Sequence, residues 1–306
     1  MTGAGRENRK PWTEFHESIG STSTRCKELA RAGAPHGSVV AAASQTGGRG
    51  RQGRPFSSPP GSGVYFSMLL RSASPADAGL LSAKAALSVC GACEKLAADA
   101  GARLECGVKW PNDVYCRDKK VAGILIEGGC GSAVGGVDAG GDGADGGDAS
   151  IGAGEAGADN GDGTDGGWFY VVGVGVNVYE PRGGWPTGLS RAGALLERGD
   201  AAAGTGGKRG GGAGIEKARD FLVSRICGQL AEPPLSARDG AALLRAYRAR
   251  SMLTGKRVGV ECGRERFEAV VEGVDDDFSL RVRTDDGVRR LRCGEIHLHL
   301  GGTRGS

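Results

Sequence analysis

The chain has no uninterrupted apolar run long enough to cross a bilayer as a helix. It has no apolar secretory core near Met1 either. A strand reading as Trp12–His16 follows almost at once and leaves little room for a transit peptide. The expected location is therefore cytoplasmic, with an organelle left open. Nine cysteines are present, but they lack the regular spacing of a disulfide framework, which suits reduced thiols. The one close pair, Cys90 and Cys93, lies inside an Ala-rich helical stretch. It has neither the helix N-terminus that a redox pair wants nor the second pair that a zinc site wants, so both read as ordinary small residues. Residues 128–167 lack every Lys, Arg and aromatic, and cannot bury enough apolar surface to offset ordering entropy. They read as a disordered acidic Gly/Asp-rich insertion, which a fold tolerates because loop closure grows slowly in cost with length.

What is there divides unevenly. Net charge is +3 overall, but the insertion holds eight acids. The remainder carries 39 basic against 28 acidic residues, a net +11 that favours anionic ligands or acidic partners. A chain of 306 residues suits two domains. The pattern predicts helices over Ser21–Ala32, Pro75–Ala100, Ile215–Leu230 and Ser236–Arg250, and strands over Gly37–Ala43, Val64–Leu70, Val121–Ile126 and Trp168–Val178. A Gly-rich linker is expected at 199–214. From Gly255 five short strands follow within 50 residues, the pattern of a small β-barrel. The class is α+β, a mixed sheet with helices over 1–252 followed by a small barrel over 253–306.

The densest chemistry is Gly48-Arg49-Gly50-Arg51-Gln52-Gly53-Arg54. Three planar, permanently charged guanidiniums share one turn whose glycines let the backbone approach a ligand. The spacing matches a dinucleotide fingerprint, but Pro55 through Gly61 cannot start the helix which that fingerprint requires. An RGG-type nucleic-acid segment would repeat, and this one does not. A solvated basic turn accounts for the charges but not for the alternating glycines. An anion-gripping loop accounts for both, and needs partners elsewhere.

Candidates exist. Lys109-Trp110-Pro111-Asn112-Asp113 follows a strand-like Leu104–Val108, and Trp-Pro forces an extended turn presenting a cation, an amide and a carboxylate. Lys120 stands at the mouth of a buried strand in which Gly123 permits close approach. Val172–Val178 is a strand whose glycines leave room for a ligand, with Asn177 near its end.

Ser21-Thr22-Ser23, Gln45 with Gly48–Arg54, Lys109–Asp113 with Lys120–Gly123, and Gly173–Asn177 occur in the order and approximate spacing of biotin protein ligases. The resemblance covers about Trp12 to Val178 and, more loosely, the C-terminal segment. There Gly294-Glu295-Ile296 is similar to a Gly-Gly-Glu-Ile segment of the family, or is simply one more barrel strand. The resemblance implies a class II synthetase-like catalytic domain plus an SH3-like barrel. It implies an enzyme that joins biotin and ATP, with Mg2+, into biotinyl-5′-AMP, and passes the biotinyl group to a lysine of a biotin carboxyl carrier domain. Carried over residue by residue, the catalytic set is Lys120, Arg49, Arg51 and Asp113. Ser21, Thr22, Ser23, Gln45, Gly48, Gly50 and Gly123, with Arg49, Arg51 and Lys120, face biotin. Trp110, Asn112 and Asn177, with Arg49, Arg51 and Lys120, face ATP. Asp113 either orients the acceptor lysine or assists Mg2+.

Three features depart from the family. Ser23 stands where many bacterial members carry Asn, the acidic insertion replaces a short turn, and the residues before Ser21 cannot form the helix-turn-helix of members that double as repressors. No DNA operator and no membrane is expected as partner. Homodimers occur in the family, and no interface is legible here. The competing readings are a lipoate–protein ligase or octanoyltransferase, which would favour an apolar tunnel, and a basic nucleic-acid-binding module, which leaves Lys109–Asp113 unused.

Overall fold

The computed structural model describes residues 10–72, 78–130, 168–198, 211–232 and 237–298. The rest of the acidic stretch, 131–167, and most of the Gly-rich linker, 199–210, lie outside them. Two expected boundaries shift. The strand over Lys119–Cys130 runs three residues into the stretch read as insertion, and the helix over Gly211–Ala231 starts within the stretch read as linker.

Seven strands form a mixed sheet. In chain order they are β1 (Thr13–His16), β2 (Val39–Ala42), β3 (Gly63–Ser72), β4 (Cys106–Lys109), β5 (Asp113–Cys116), β6 (Lys119–Cys130) and β7 (Trp168–Asn177). Their order across the sheet is β1-β2-β3-β7-β6-β5-β4, with β1 and β2 parallel and every other pair antiparallel. The central strands are near-continuous apolar runs because both faces are covered. On β2, successive residues serve opposite cores: Val39 and Ala41 pack toward the larger cluster, Val40 toward the smaller.

Helix α1 (Thr22–Arg31) covers the smaller face through Cys26, Leu29 and Ala30. Ser21 caps its N-terminus, accepting a hydrogen bond from the Thr24 N–H. Gly33, at φ +83°, closes its C-terminus: the Ala34 N–H bonds the Leu29 carbonyl and the Gly33 N–H bonds that of Ala30. The larger face is covered by α2 (Ala78–Asp99), α3 (Gly211–Ala231) and α4 (Ala237–Ala249).

The chain after α4 lies along the outer edge of β4. The Val108 N–H bonds the Arg250 carbonyl at 2.7 Å, and the Met252 N–H bonds the Val108 carbonyl at 3.0 Å. That edge is thereby satisfied rather than left as a template for pairing. The five late strands are β8 (Arg257–Cys262), β9 (Glu265–Val274), β10 (Leu280–Thr284), β11 (Gly287–Leu291) and β12 (Glu295–Leu298). They form an antiparallel sheet of order β11-β10-β9-β8-β12. This five-stranded antiparallel sheet is consistent with the expected small SH3-like barrel, and among the described residues β11 and β12 are not paired.

Trp110 joins the two sheets. It is 2% exposed, and its indole N–H donates to the Phe278 carbonyl at 2.9 Å. The Tyr247 hydroxyl donates to the Pro111 carbonyl at 3.1 Å, and its ring meets Phe278 edge-on at 5.0 Å. Trp110, expected on the ATP side of the site, thus also has a structural role. Replacing Trp110 by Phe would leave the buried Phe278 carbonyl without this donor and destabilise the fold by about 1–3 kcal/mol. Urea unfolding of Trp110→Phe checks this, and an unchanged midpoint would show that the bond does not hold the sheets together.

Candidate active site

A cleft of about 300 Å³ opens where the N-terminus of α1, the Arg-Gly loop, the β4–β5 hairpin, the start of β6 and β12 meet. Its residues run from Ser21 to His297, and local devices hold them in place.

Ser21, Thr22 and Ser23 are presented by the capped end of α1. The Gln45 side-chain oxygen accepts from both the Thr22 N–H, at 2.8 Å, and the Thr22 hydroxyl, at 3.1 Å. Its amide nitrogen donates to Ser58 Oγ at 2.9 Å. Thr22 and Ser23 also share Ser67 Oγ, at 2.9 and 3.0 Å. Ser58 and Ser67 were not legible as site residues. The only signal for Ser67 was one small polar residue inside the otherwise hydrophobic run Val64–Leu70. The result is a chain of uncharged donors and acceptors at one end of the cleft.

Gly123, Gly173 and Gly175 line the cleft, and they also make room for other parts of this protein. A Cβ on Gly175 would strike the Phe56 ring, one on Gly123 would lie 3.1 Å from the same ring, and one on Gly173 would sit 2.6 Å from Ser23 Oγ. The room they leave is filled by this protein's own Phe56 and Ser23. Phe56, which also meets Tyr65 edge-on, supplies an apolar wall that sequence reading missed.

The Arg-Gly loop folds back on itself. The Phe56 N–H bonds the Gly48 carbonyl and the Gly50 N–H bonds the Arg54 carbonyl, at 2.8 and 2.7 Å. A single 3-10 turn spans Arg51–Gly53. Gly48 is outside the lining of the cleft. A Cβ there would meet the Phe56 carbonyl oxygen at 2.5 Å, so its part is to let the loop close. Arg49 donates to Thr24 Oγ1 at 2.9 Å and lies 3.7 Å from Glu127. Arg51 donates to the Gly294 carbonyl at 3.1 Å and reaches Asn112 Oδ1 at 3.5 Å, and Arg54 pairs with Glu295. Two of the three guanidiniums are thus held by the second sheet, and Glu295, Ile296 and His297 line the cleft.

Lys120 reaches the cleft through a bulge. Opposite it the β5–β6 register slips between Val114 and Tyr115, so Tyr115 faces Lys120 and Val114 faces Ala122. Lys120 Nζ pairs with Asp113 Oδ1 at 2.7 Å. Asn112, also lining the cleft, donates from its side chain to the Ile124 carbonyl. Asn177 does not line the cleft. Its amide donates to the Lys120 and Gly193 carbonyls, at 3.4 and 3.1 Å, and so fixes the strand end from which Lys120 projects. Trp110, Asn112, Asp113 and Lys120 are therefore brought together with Arg49, Gly50, Arg51 and the Ser21–Ser23 and Gln45 group, while Gly48 and Asn177 support them from behind.

Five cations (Arg49, Arg51, Arg54, Lys109 and Lys120) face two carboxylates (Asp113 and Glu295) around the cleft. Burial holds the Lys109 ammonium below the usual lysine value, with Asp113 and Glu295 opposing that effect and Lys120 and Arg191 adding to it. A folded value below the unfolded one means that Lys109 destabilises the fold wherever it is charged. Stability is regained only as pH climbs from the lowered value toward the ordinary lysine range near 10.4. Lys109→Met is accordingly expected to unfold at the same or a higher temperature than the parent at neutral pH, with the difference closing above about pH 10. Thermal unfolding against pH measures it, and a clearly lowered melting temperature at pH 7 would contradict this reading.

The sequence profile of the Biotin/lipoate A/B protein ligase family matches residues 15–136. The biotin--[acetyl-CoA-carboxylase] ligase of Mycobacterium tuberculosis is 30% identical over 297 residues, covering 94% of this chain and 90% of that protein. That of Paracoccus denitrificans is 28% identical over 276 residues, covering 90% and 96%. The bifunctional ligase/repressor BirA of Bacillus subtilis is 38% identical, but the aligned 114 residues span 37% of this chain and 34% of BirA. Among solved structures, the biotin protein ligase of Aquifex aeolicus in complex with biotin and ATP shares the fold, with a TM-score of 0.62 at 22% identity, over 95% of this chain and 99% of that one. With a relative at this identity aligned along nearly the whole length of both proteins, the chain belongs to the biotin protein ligase family.

Proposed function

We propose that this chain is an ATP-dependent biotin protein ligase that forms biotinyl-5′-AMP and pyrophosphate, then transfers the biotinyl group to a lysine of a biotin carboxyl carrier domain. The observation that carries this reading is the meeting, in one cleft, of an uncharged hydrogen-bonding end at Ser21–Ser23 and Gln45 with a cluster of five cations. The first suits a neutral cyclic urea, the second a carboxylate and a triphosphate.

The chemistry needs both. When the biotin carboxylate attacks the α-phosphorus, two anions must approach, and fixed cations lower that barrier by stabilising charge where it develops. Arg49, Arg51 and Lys120 are placed for this role. Lys120 would face the carboxyl group of biotin in both half-reactions, first as the attacking oxygen and then as the acyl centre struck by the acceptor amine. Trp110 and Asn112 stand on the nucleotide side, with Asn177 acting through the Lys120 backbone. Asp113, beside Lys120 at the end of the hairpin, would orient the acceptor amine. The residues also fit Mg2+ of the kind held chiefly by nucleotide phosphates, because Asp113 offers one carboxylate oxygen to such an ion. Bound there, Mg2+ would neutralise phosphate charge. We place the catalytic work in 1–252, with 253–306 completing the cleft, and a cytoplasmic location. Among the described residues no helix is long and apolar enough to cross a membrane.

A lipoate-type reading would require an apolar tunnel, whereas the part of the cleft formed by Ser21–Ser23 and Gln45 is a network of hydroxyls and an amide. Incubation with biotin, ATP, Mg2+ and a carrier domain tests the assignment: the carrier should gain the mass of one biotinyl group, and an unmodified carrier would overturn it. Lys120→Ala is expected to slow adenylate formation by ~10²-fold or more, the scale of deleting one electrostatic stabiliser. Single-turnover assay of biotinyl-5′-AMP reads this, and wild-type turnover would remove Lys120 from the chemistry.

A further inference from the structure

The hairpin that carries Lys109, Trp110, Asn112 and Asp113 is closed at its open end by two cysteines that the chemistry above does not use. Cys106 opens β4, Cys116 closes β5, and the two are directly opposed in the antiparallel register. They are 1% and 5% exposed, both are free thiols, and their sulfurs are 2.7 Å apart. Directly opposed antiparallel residues have Cα atoms about 4.5–5.5 Å apart, inside the roughly 4.4–6.8 Å that a disulfide spans. The backbone of Cys106 is itself pinned. Its N–H bonds Glu94 Oε1 at 2.9 Å, its carbonyl accepts from Arg250 Nη1 at 2.9 Å, and Glu94 and Arg250 are paired with each other.

We propose that Cys106 and Cys116 form a cross-strand disulfide, stapling the hairpin that carries the Lys109–Asp113 segment, when the chain folds under oxidising conditions, and that a chain folded in a reducing compartment keeps the pair as the free thiols seen here, so that the state of the pair is set while the chain folds. The bond would be made by exchange with a low-molecular-weight disulfide such as oxidised glutathione. One protein thiolate attacks it, giving a mixed disulfide and one glutathione thiol. The second protein thiolate then attacks the mixed disulfide, giving the Cys106–Cys116 bond and a second glutathione thiol. Two electrons leave the protein for the glutathione disulfide, and the two thiol protons balance those on the two glutathione molecules released.

The timing follows from burial. In the folded protein neither sulfur is open to a molecule of that size. The hydrogen bond with Cys116, together with burial, holds the Cys106 thiol far above its ordinary value and so starves it of thiolate. During folding both are exposed and reactive. Cys90 and Cys93, on the helix packed against this hairpin, are buried too and are the rival partners, since both sense the charge of Cys106.

The full chain, unfolded and reduced, is refolded either with reduced and oxidised glutathione or with excess reductant. Each product is then alkylated under denaturing conditions and digested without reduction. Refolding with the glutathione pair should give a Cys106–Cys116 linked peptide lighter by two hydrogens than its parts, absent after refolding in reductant. The folded reduced protein, given the same glutathione pair, should acquire the link at least about tenfold more slowly. The refolded oxidised Cys116→Ser variant should leave Cys106 alkylated. Alkylation of both cysteines after oxidative refolding, or a link from Cys106 to Cys90 or Cys93, would overturn the proposal. Equally fast linking of the folded protein would overturn its timing.

Discussion

Like charges gathered around one small cleft repel, and the structure around the cleft can be understood as what holds them there. Five cationic side chains converge on about 300 Å³ with two carboxylates among them. In a folded protein such a cluster is sustained only if each cation has a local acceptor and the framework carrying those acceptors is rigid. Here the acceptors are dispersed over both sheets. Arg49 is held by α1 and β6, Arg51 by a carbonyl next to β12, Arg54 by Glu295 on that strand, and Lys120 by Asp113 across the bulged ladder. Lys109 is favoured by Asp113 and Glu295, but burial works against its charge more strongly. A site whose charges are held short of full neutralisation is poised for an anionic ligand to finish the job.

This explains why the second sheet matters to the cleft, which its Gly294-Glu295-Ile296 segment helps to build. Trp110 and Tyr247 fix it against the turn of the β4–β5 hairpin, and that placement brings Gly294 and Glu295 within reach of Arg51 and Arg54. The glycines of β6 and β7 serve the same end from below. They make space for Phe56 and Ser23, so that the loop and the α1 N-terminus settle onto the sheet rather than above it.

Much of this was legible beforehand, for physical reasons that can be named. The apolar central strands and the capped, Gly-terminated α1 carry local signals strong enough to read. So do the Arg-Gly and Lys109–Asp113 segments, because their residue types have few structural uses in that combination. Strand β5 was missed because its turn to β6 puts Arg117 and Asp118 at φ +50° and +60° without the Asn-Gly or Asp-Gly that normally announces such a turn. Ser58, Ser67 and Phe56 were missed because their importance depends on neighbours distant in sequence. Asn177 and Gly48 were placed at the site, but the structure sets them one layer behind it, a distinction that spacing alone does not carry. The small barrel expected from strand number is present as a five-stranded antiparallel sheet, in which β11 and β12 are not paired among the described residues.

The central claim is that the uncharged and cationic ends of one cleft together select biotin and activate its carboxylate with ATP. Isotope exchange between ATP and pyrophosphate, run with biotin and separately with lipoate and without any carrier protein, tests it most directly. The account predicts exchange that requires biotin and is not supported by lipoate. Exchange driven by lipoate and indifferent to biotin would contradict it.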